Sequence, residues 1–424
     1  MSELALTPAS QKQTSLRIAL LGYRSNPFSG GQGVYLKYLS RALRASGHQV
    51  DVISGEPYPQ LDPGIKLIKL PGLNLFAADN HLTALRPKHL RSWTDTFEWL
   101  SMATGGFPEP YTYGRRVAAY LRQNRDRYDL VHDNQCLSWG TASIQQQLPL
   151  LTTIHHPITW DRQIALAHAE DWKHQLLIRR WHHFLTMQGK VARRLEHIVT
   201  VSERSRQDIC RAFAIDPNRI HVIYNGIDTE VFYPEPSIAR NPWQLITTAS
   251  ADQPLKGTQH LIPAFAQLCQ RHPRLTLVFI GKPKPGGPTE KLIDAHGVAE
   301  KIRFVHGISD DEIRHLYASS AIAVVPSEYE GFGFPAGEAM ACGLPVVSTD
   351  GGALPEVVGE AASVVPVGNP SALAGAIEEL LNNPGLRENL ARAGAKRIRT
   401  HFTWQRAAQQ MGELYQQIIN GDRS

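Results

Sequence analysis

The sequence predicts an α/β protein made of two parallel-sheet domains. A chain of 424 residues is longer than one hydrophobic core normally supports, so two domains are expected. Short apolar runs alternate with helical patterns in both halves of the chain, as in open parallel sheets. Turn and proline signals at residues 225–228 and 232–236 interrupt this alternation and mark the boundary between the halves.

The first half begins with one βαβ unit. Residues 16–22 are an apolar run that ends in glycine, as a buried parallel strand does. The glycine loop 29–33 and a helical pattern follow, and residues 48–53 supply the second strand. Further strands are expected at residues 129–132, 150–154 and 197–201.

The second half repeats the alternation from residue 244 onwards. Strands are expected at residues 244–248, 275–280, 302–305, 322–325 and 346–348, and helices at 258–270, 288–296, 310–318, 337–342 and 404–419. Because ligands bind outside the carboxyl ends of parallel strands, two facing sheets predict a site in the cleft between them. We therefore predict a disordered lead-in (1–15), a first domain (16–228), a second domain (229–403) and a C-terminal segment (404–424). The helix of this last segment can pack on either domain, including back on the first.

Cysteine usage and targeting features predict a cytoplasmic protein. The four cysteines are scattered singly, without the spacing of a disulfide framework or a zinc site. Residues 1–15 lack the apolar core of a signal peptide. No apolar run approaches the ~20 residues that span a bilayer, so any membrane association would be peripheral, at the cytoplasmic face.

Positive charge is concentrated between residues 173 and 211. In this stretch nine lysine and arginine side chains outnumber three acidic ones, although the whole chain carries only +5. One interpretation is the solvated face of an amphipathic helix with an apolar stripe at Leu177, Trp181, Phe184, Val191 and Leu195. The other is a face that docks on an anionic membrane surface or binds an anionic acceptor. Nucleic acid is not expected, because no recognisable binding module accompanies the charge.

Six short motifs in a fixed order give the chain a family resemblance. They are GGQG at 30–33, NGID at 225–228, DQPLKG at 252–257, EGFGFPAGE at 330–338, ACGLPVV at 341–347, and Gly351-Gly352 with Glu356. In this order the chain resembles the family 4 retaining glycosyltransferases from about residue 17 to 404. The resemblance implies the GT-B fold, in which two Rossmann-like domains face a central cleft. It also implies transfer of a hexosyl-type unit from a nucleoside-diphosphate sugar, expected to be UDP-linked, to a hydroxyl acceptor such as a lipid or glycan intermediate.

The resemblance assigns roles to residues of the second half. Lys256 would stabilise the departing phosphate, and helix-opening amides would bind the diphosphate. Glu330 would hold sugar hydroxyls as a catalytic residue and Glu338 the ribose hydroxyls, because a carboxylate can accept two vicinal hydroxyls. The other donor-side residues implied are Gly31, Gly33, Ser250, Gly331, Phe332, Gly333 and Phe334.

Strand ends of the first half supply the remaining candidates. His155 stands where family members often keep a histidine near the donor sugar, so it is a catalytic candidate, although its neighbour His156 leaves the register open by one residue. His132, Asn134 and His156 are candidates for the acceptor side, with a polar strand terminus as the alternative for His132 and Asn134.

One departure from the family pattern concerns the phosphate site. The family usually carries an arginine five or six residues before the phosphate lysine, where this chain has Ser250 and Ala251. Either Lys282 or Lys284 replaces it, or the phosphate is held less tightly. No DxD-like motif stands in the expected place, so we expect no metal and no other cofactor, with the departing phosphate acting as the base.

Three other functions remain as alternatives on the same fold. They are a nucleotide-sugar epimerase, a phosphorylase that would need pyridoxal phosphate, and a non-catalytic subunit that binds nucleotide sugar or lipid. A dinucleotide dehydrogenase is disfavoured, because the glycine loop is GGxG rather than GxGxxG.

Overall fold

The computed structural model describes residues 15–26, 31–75, 85–167, 169 and 171–421. The predicted lead-in therefore lies outside the described residues except for Ser15. Residues 27–30, which include the first two residues of the glycine loop, also lie outside them.

Within the described residues, the first half forms a parallel sheet of seven strands in the order β3-β2-β1-β4-β5-β6-β7. The strands are β1 (Arg17–Gly22), β2 (Gln49–Ser54), β3 (Lys66–Lys69), β4 (Leu130–Asn134), β5 (Leu150–Thr153), β6 (His197–Thr200) and β7 (Ile220–Val222). The helices are α1 (Gly31–Ala45), α2 (Trp93–Ala103), α3 (Glu109–Asn124), α4 (Trp139–Ile144), α5 (Thr159–Ala167), α6 (Trp172–Trp181), α7 (Leu185–Ala192) and α8 (Glu203–Phe213).

The second half forms another parallel sheet, with six strands among the residues described, in the order β10-β9-β8-β11-β12-β13. The strands are β8 (Gln244–Thr248), β9 (Thr276–Ile280), β10 (Ile302–Val305), β11 (Ile322–Val325), β12 (Val346–Thr349) and β13 (Ser363–Val365). The helices are α9 (Thr258–Arg271), α10 (Pro288–His296), α11 (Asp310–Ser319), α12 (Phe334–Ala341), α13 (Leu354–Val358), α14 (Pro370–Asn382), α15 (Pro384–His401) and α16 (Trp404–Gly421). Two parallel sheets confirm the predicted fold class.

The central strands follow directly from their sequences. Strand β11 reads IAVV and is buried at every position, as expected for a parallel strand covered by helices on both faces. The edge strands β3, β7 and β13 were not predicted, because they are only three or four residues long and partly exposed. Segments of three or four residues are too short to show a strand pattern.

The C-terminal helix α16 packs on the first sheet. Its side chains Trp404, Met411 and Tyr415 lie in the same buried cluster as Ile18 of β1 and Leu39 of α1. The chain returns to the first sheet beside its earlier crossing between the halves. There Ile227 N donates to Phe402 O at 2.8 Å. A Cβ on Gly226 would overlap the backbone of Trp404, so this crossing requires glycine.

The part of the basic stretch that was expected as one amphipathic helix is divided between α6 and α7, and the stretch continues through β6 into α8. The 3₁₀ turn His182–Phe184 separates α6 from α7. Because a 3₁₀ turn has fewer residues per turn, it shifts the phase of the helical face. Val191 and Leu195 are buried as the stripe predicts, but Leu177 is 59% exposed.

No helix among the described residues is both long enough and apolar enough to cross a membrane.

Candidate active site

An ion pair joins the two carboxyl-end loops that follow β8 and β11. Lys256 Nζ lies 2.7 Å from Glu330 Oε1, and the hydroxyl of Ser327 donates to the same oxygen at 2.8 Å. The two side chains retain only 23% and 11% of their exposure, so the pair is largely shielded from water. Strands β8 and β11 are neighbours in the sheet, and for this reason their loops meet.

Glycine at position 257 makes the close approach of these loops feasible. Gly257 has φ +68°, and a Cβ there would overlap the carbonyl oxygen of Pro326. Only glycine combines the left-handed conformation with this proximity. Lys256, the last residue of the 3₁₀ turn Pro254–Lys256, is thereby held against the loop that carries Glu330.

The EGFGFPAGE segment forms the turn into α12. Gly333 is the N-cap of this helix with φ +102°, and Pro335 occupies the first turn, where its missing N–H costs nothing. The first amides of a helix have no intrahelical acceptor, so they can bind an anion. Phe332 is buried and contacts the ring of Phe334, so its side chain anchors the turn.

Glu338 lies on α12 beside a second carboxylate. Burial, followed by the charge of Asp310, raises the pKa of Glu338 to about 8, although the hydrogen bond with the Tyr317 hydroxyl opposes the shift. Asp310 in turn pairs with the first half, because Lys37 Nζ and the hydroxyl of Tyr38 both lie 3.0 Å from its Oδ2. The residue predicted to bind ribose is thus placed at the junction of the two halves.

The first half closes over the donor-side loop at Gly331. A Cβ on Gly331 would lie 3.1 Å from the carbonyl oxygen of His155. The hydroxyls of Ser202 and Ser205 donate to the Gly331 carbonyl at 2.8 and 3.3 Å. Helix α8 is also bound by the second half, since the carboxylate of Glu356 accepts two backbone N–H groups at its start.

His155 is held as a neutral imidazole facing this junction. Its Nε2–H donates to Asn134 Oδ1 at 2.6 Å, and its ring packs edge-to-face on Tyr35. Burial and the charge of neighbouring histidines lower the pKa of His155 to about 3. The side chain of Gln135 clamps the same segment, because it accepts from His155 N and donates to His156 O.

His156 has the opposite protonation preference from its neighbour. Its Nε2–H donates to Asp161 Oδ2 at 3.1 Å. Burial lowers the pKa of His156, but the charge and hydrogen bond of Asp161 outweigh burial, so the pKa is raised. The pKa of Asp161 is correspondingly lowered, against its own burial, by the charge and hydrogen bond of His156.

His132 lies beneath the cleft and is fully buried. Its ring nitrogens are 2.6 Å from the hydroxyls of Tyr415 and Thr153, and Thr153 continues to the hydroxyl of Tyr35 at 3.0 Å. Burial lowers the pKa of His132 to about 3. The structure therefore places this predicted acceptor-side residue in a buried network that joins α16 to the first sheet.

The remaining predicted residues divide between the cleft and its support. A Cβ on Gly31 would lie 3.6 Å from the Phe334 ring, so Gly31 faces the second half. Gly33 instead packs on its own loop, because a Cβ there would overlap the carbonyl of Asn26. Ser250 is exposed on the loop after β8, and Lys282 and Lys284 are exposed on the adjacent loop after β9.

Sequence patterns did not single out Ser327, Gln135 or Asp161. Ser327 is only three residues before Glu330, so a turn can bring the two side chains together. Serine is common in loops, however, and its presence alone does not indicate this contact. Gln135 and Asp161 act on backbone and ring atoms of His155 and His156, and no spacing rule indicates such contacts. Among the residues described, no group of three or more His, Cys, Asp or Glu side chains is arranged to hold a metal ion.

Comparison with known proteins matches both halves of the chain. The model described as Glycosyltransferase Family 4 matches residues 29–231, and the model of Glycosyl transferases group 1 matches residues 235–397. The MMP alpha-(1->4)-mannosyltransferase of Mycolicibacterium hassiacum is 43% identical over 410 residues, which cover 95% of this chain and 98% of that protein. The D-inositol 3-phosphate glycosyltransferase of Streptomyces bingchenggensis is 26% identical over 96% of this chain and 90% of its own length.

Solved structures agree in fold. Sucrose-phosphate synthase from Thermosynechococcus elongatus superimposes with a TM-score of 0.72 at 24% identity, covering 96% of this chain and all of that one. HepE of Anabaena, solved with UDP and glucose, gives a TM-score of 0.68 at 19% identity over 94% of this chain and 99% of its own.

Proposed function

The chain belongs to the family 4 glycosyltransferases of the GT-B fold, and from this premise we propose that it transfers a hexosyl-type unit, with retention of configuration, from a nucleoside-diphosphate sugar to a hydroxyl acceptor. That the enzyme is a glycosyltransferase follows from its family; the donor, the stereochemistry and the acceptor are the proposal.

The Lys256–Glu330 pair is the observation that carries the proposal. It combines a cation for a phosphate and a carboxylate for sugar hydroxyls within 2.7 Å, beside the start of a helix. In a nucleotide-sugar donor, the phosphate lies on one side of the bond that breaks and the sugar hydroxyls lie on the other. A site with this pair can therefore hold the sugar and stabilise the departing diphosphate at the same time.

The proposed transfer needs no protein nucleophile. The bond from sugar C1 to the diphosphate oxygen breaks, the acceptor oxygen attacks C1 from the same face, and the acceptor proton passes to the departing phosphate. Lys256 and the first amides of α12 stabilise the negative charge that develops on the leaving group. Glu330, held by Ser327, orients the sugar hydroxyls and supports positive charge at C1.

The base and the sugar of the donor are proposed on separate grounds. The sequence favours a UDP-linked sugar, and the 43% identical mannosyltransferase relative makes mannose the first hexose to test. Glu338 would bind the ribose of either uridine or guanosine, so this residue does not discriminate between bases.

The acceptor side includes an exposed apolar surface that supports peripheral membrane binding. Exposed apolar side chains are Trp172, Leu176 and Leu177 of α6, and Trp93 and Leu100 of α2. Lys173 and Arg179 on α6 are exposed beside them. Tryptophan, leucine and lysine together are typical of helices that lie in an anionic membrane interface. Farther along the basic stretch, Arg204 and Arg206 pair with acidic residues, so we propose α6 as the membrane contact.

A donor panel tests the proposal directly. Mannose and glucose, each linked to UDP and to GDP, are screened with the purified protein by thermal shift, and the stabilising donor is incubated with a pool of lipid and glycan acceptors. Mass spectrometry should detect a product that is one hexose heavier than the acceptor. NMR should show that the new linkage has the same anomeric configuration as the donor, which is retention. Binding without transfer or hydrolysis would indicate a non-catalytic subunit, whereas an altered free nucleotide sugar would indicate an epimerase.

A further inference from the structure

We infer that His156 is the second cationic group of the donor site and that Asp161 is the residue that positions it. The inference rests on the proposed function, because it assigns His156 to the diphosphate of the same donor. It replaces two sequence expectations, namely an acceptor-side role for His156 and a phosphate role for Lys282 or Lys284.

Helix α5 brings Asp161 and His156 to the Lys256 turn. Helix α5 packs against the turn Pro254–Lys256, so its first residues line the same side of the cleft. His156 Nε2 is occupied by Asp161 at 3.1 Å. Its other nitrogen, Nδ1, lies 3.5 Å from the point where a Cβ on Gly331 would stand. One nitrogen is therefore fixed by the carboxylate, and the other is directed at the donor-side loop.

The Nδ1 atom of His156 is available to a ligand. Among the hydrogen bonds of the described residues, none engages this nitrogen. The side chain retains 28% of its exposure, so the cleft reaches it. A protonated imidazole with one N–H bound to a carboxylate still has a second N–H to donate.

The charges around the pair favour an anion over a neutral acceptor hydroxyl. The titratable and charged groups that face His156 and Asp161 are His155, His182, Lys256, Tyr329 and Glu330. A diphosphate carries more negative charge than one lysine neutralises, above all a lysine already paired with Glu330. Ser250 and Ala251 supply no charge, so the second positive charge has to come from another side chain, and His156 interacts electrostatically with both Lys256 and Glu330.

His156 takes no part in the bonds that break and form during the transfer. The C1–O bond to the diphosphate breaks, the bond from the acceptor oxygen to C1 forms, and the acceptor proton moves to the phosphate. His156 keeps its own proton and donates a hydrogen bond from Nδ1 to the phosphate oxygens, which strengthens as their charge grows. Asp161 does not touch the donor; it keeps His156 protonated and oriented.

Titration of the purified full-length protein with UDP and with GDP tests this role. For whichever nucleotide binds the wild type, His156→Gln should weaken binding about tenfold, the size of one charge-assisted hydrogen bond. His156→Arg should recover much of the loss. Wild-type affinity should fall as the pH rises through the raised pKa of His156, and His156→Gln should not show this dependence. Asp161→Asn should shift the dependence to lower pH, which loss of structure alone would not do.

A control variant and the binding of the wild type distinguish a failure of the His156 assignment from a failure of the proposed function. The double variant Lys282→Ala/Lys284→Ala should bind the nucleotide like the wild type, and thermal unfolding should show all variants folded. Wild-type affinity in His156→Gln, or a loss confined to the KM for the acceptor, would overturn the inference and leave the proposed function standing. Failure of the wild type to bind any nucleotide diphosphate or sugar nucleotide would overturn the proposed function itself.

Discussion

Lys256 Nζ lies 2.7 Å from Glu330 Oε1 although 74 residues separate the two in the chain. Their meeting follows from the adjacency of β8 and β11, whose carboxyl-end loops carry them. Under the proposed function, Lys256 binds the phosphate of the donor and Glu330 binds its sugar, so we expect the ion pair to open when the donor enters. Ser327 can then hold Glu330 in place while Lys256 turns to the phosphate.

Removal of the charge of Glu330 should stop transfer without unfolding the protein. In Glu330→Gln the side chain keeps its size and can still accept from Ser327, but it no longer supports positive charge at the sugar. We expect kcat to fall about a hundredfold or more, as when one transition-state contact is lost. Release of the nucleoside diphosphate measures this rate. Glu360→Gln, at an exposed carboxylate, is the matched control, and equal rates in the two variants would contradict the assignment.

Glycine at position 257 should be required for activity beyond its backbone conformation. Gly257 and Gly307 share a φ of +68°, but only Gly257 lies against another backbone, that of Pro326. Gly307→Ala should therefore cost roughly 1 kcal/mol of stability, the strain of a left-handed alanine. Gly257→Ala should cost more and should also abolish transfer, because the loop that carries Lys256 must move away.

Urea unfolding and the transfer assay distinguish these two effects. If Gly257→Ala retains wild-type kcat at equal folded fraction, the close approach of the two loops is not what positions Lys256.

The sequence was sufficient to predict the central strands and the partners in the site. Residues 244–248 and 322–325 were predicted with the bounds that β8 and β11 have. For β11 the reason is a continuous apolar run, as in buried parallel strands. Lys256 and Glu330 were predicted to act on one donor, and the structure brings them together.

The remaining features depend on three-dimensional packing that local patterns do not encode. A histidine just after a strand can face the junction of the halves, as His155 does after β5, whereas the expected strand-end His132 lies inside β4 and beneath α16. Which one occurs depends on a helix that is 283 residues away along the chain at Tyr415. Likewise, Asp161 reaches His156 because α5 begins at Thr159, shortly after β5 ends, and no motif marks that turn.

Buried neutral His132 should make the protein less stable in acid. Burial lowers the pKa of His132 to about 3, whereas an unfolded histidine titrates near 6.5. Below pH ~6.5 the unfolded state binds a proton that the folded state refuses, so stability falls as the pH drops towards 3, by up to about 1.4 kcal/mol per pH unit. In His132→Gln this contribution disappears, so stability should decline less steeply with acid.

Urea unfolding at a series of pH values between 7 and 4 measures the slope. His315→Gln, which removes an exposed histidine, should leave the slope unchanged. A slope in His132→Gln as steep as that of the wild type would mean that His132 takes up its proton in the folded protein.

The apolar surface of α6 should determine whether the protein binds anionic membranes. Trp172 and Leu177 are 69% and 59% exposed, so Trp172→Ser/Leu177→Ser removes apolar area from solvent-facing positions and should leave stability nearly unchanged. We expect the wild type to float with vesicles that contain phosphatidylserine and the double variant to stay in the soluble fraction. Val364→Ser/Val367→Ser, at exposed valines of the second half, should float like the wild type. Binding that survives in the α6 variant, or that is equal on neutral vesicles, would contradict a membrane contact made by this helix and its lysine and arginine side chains.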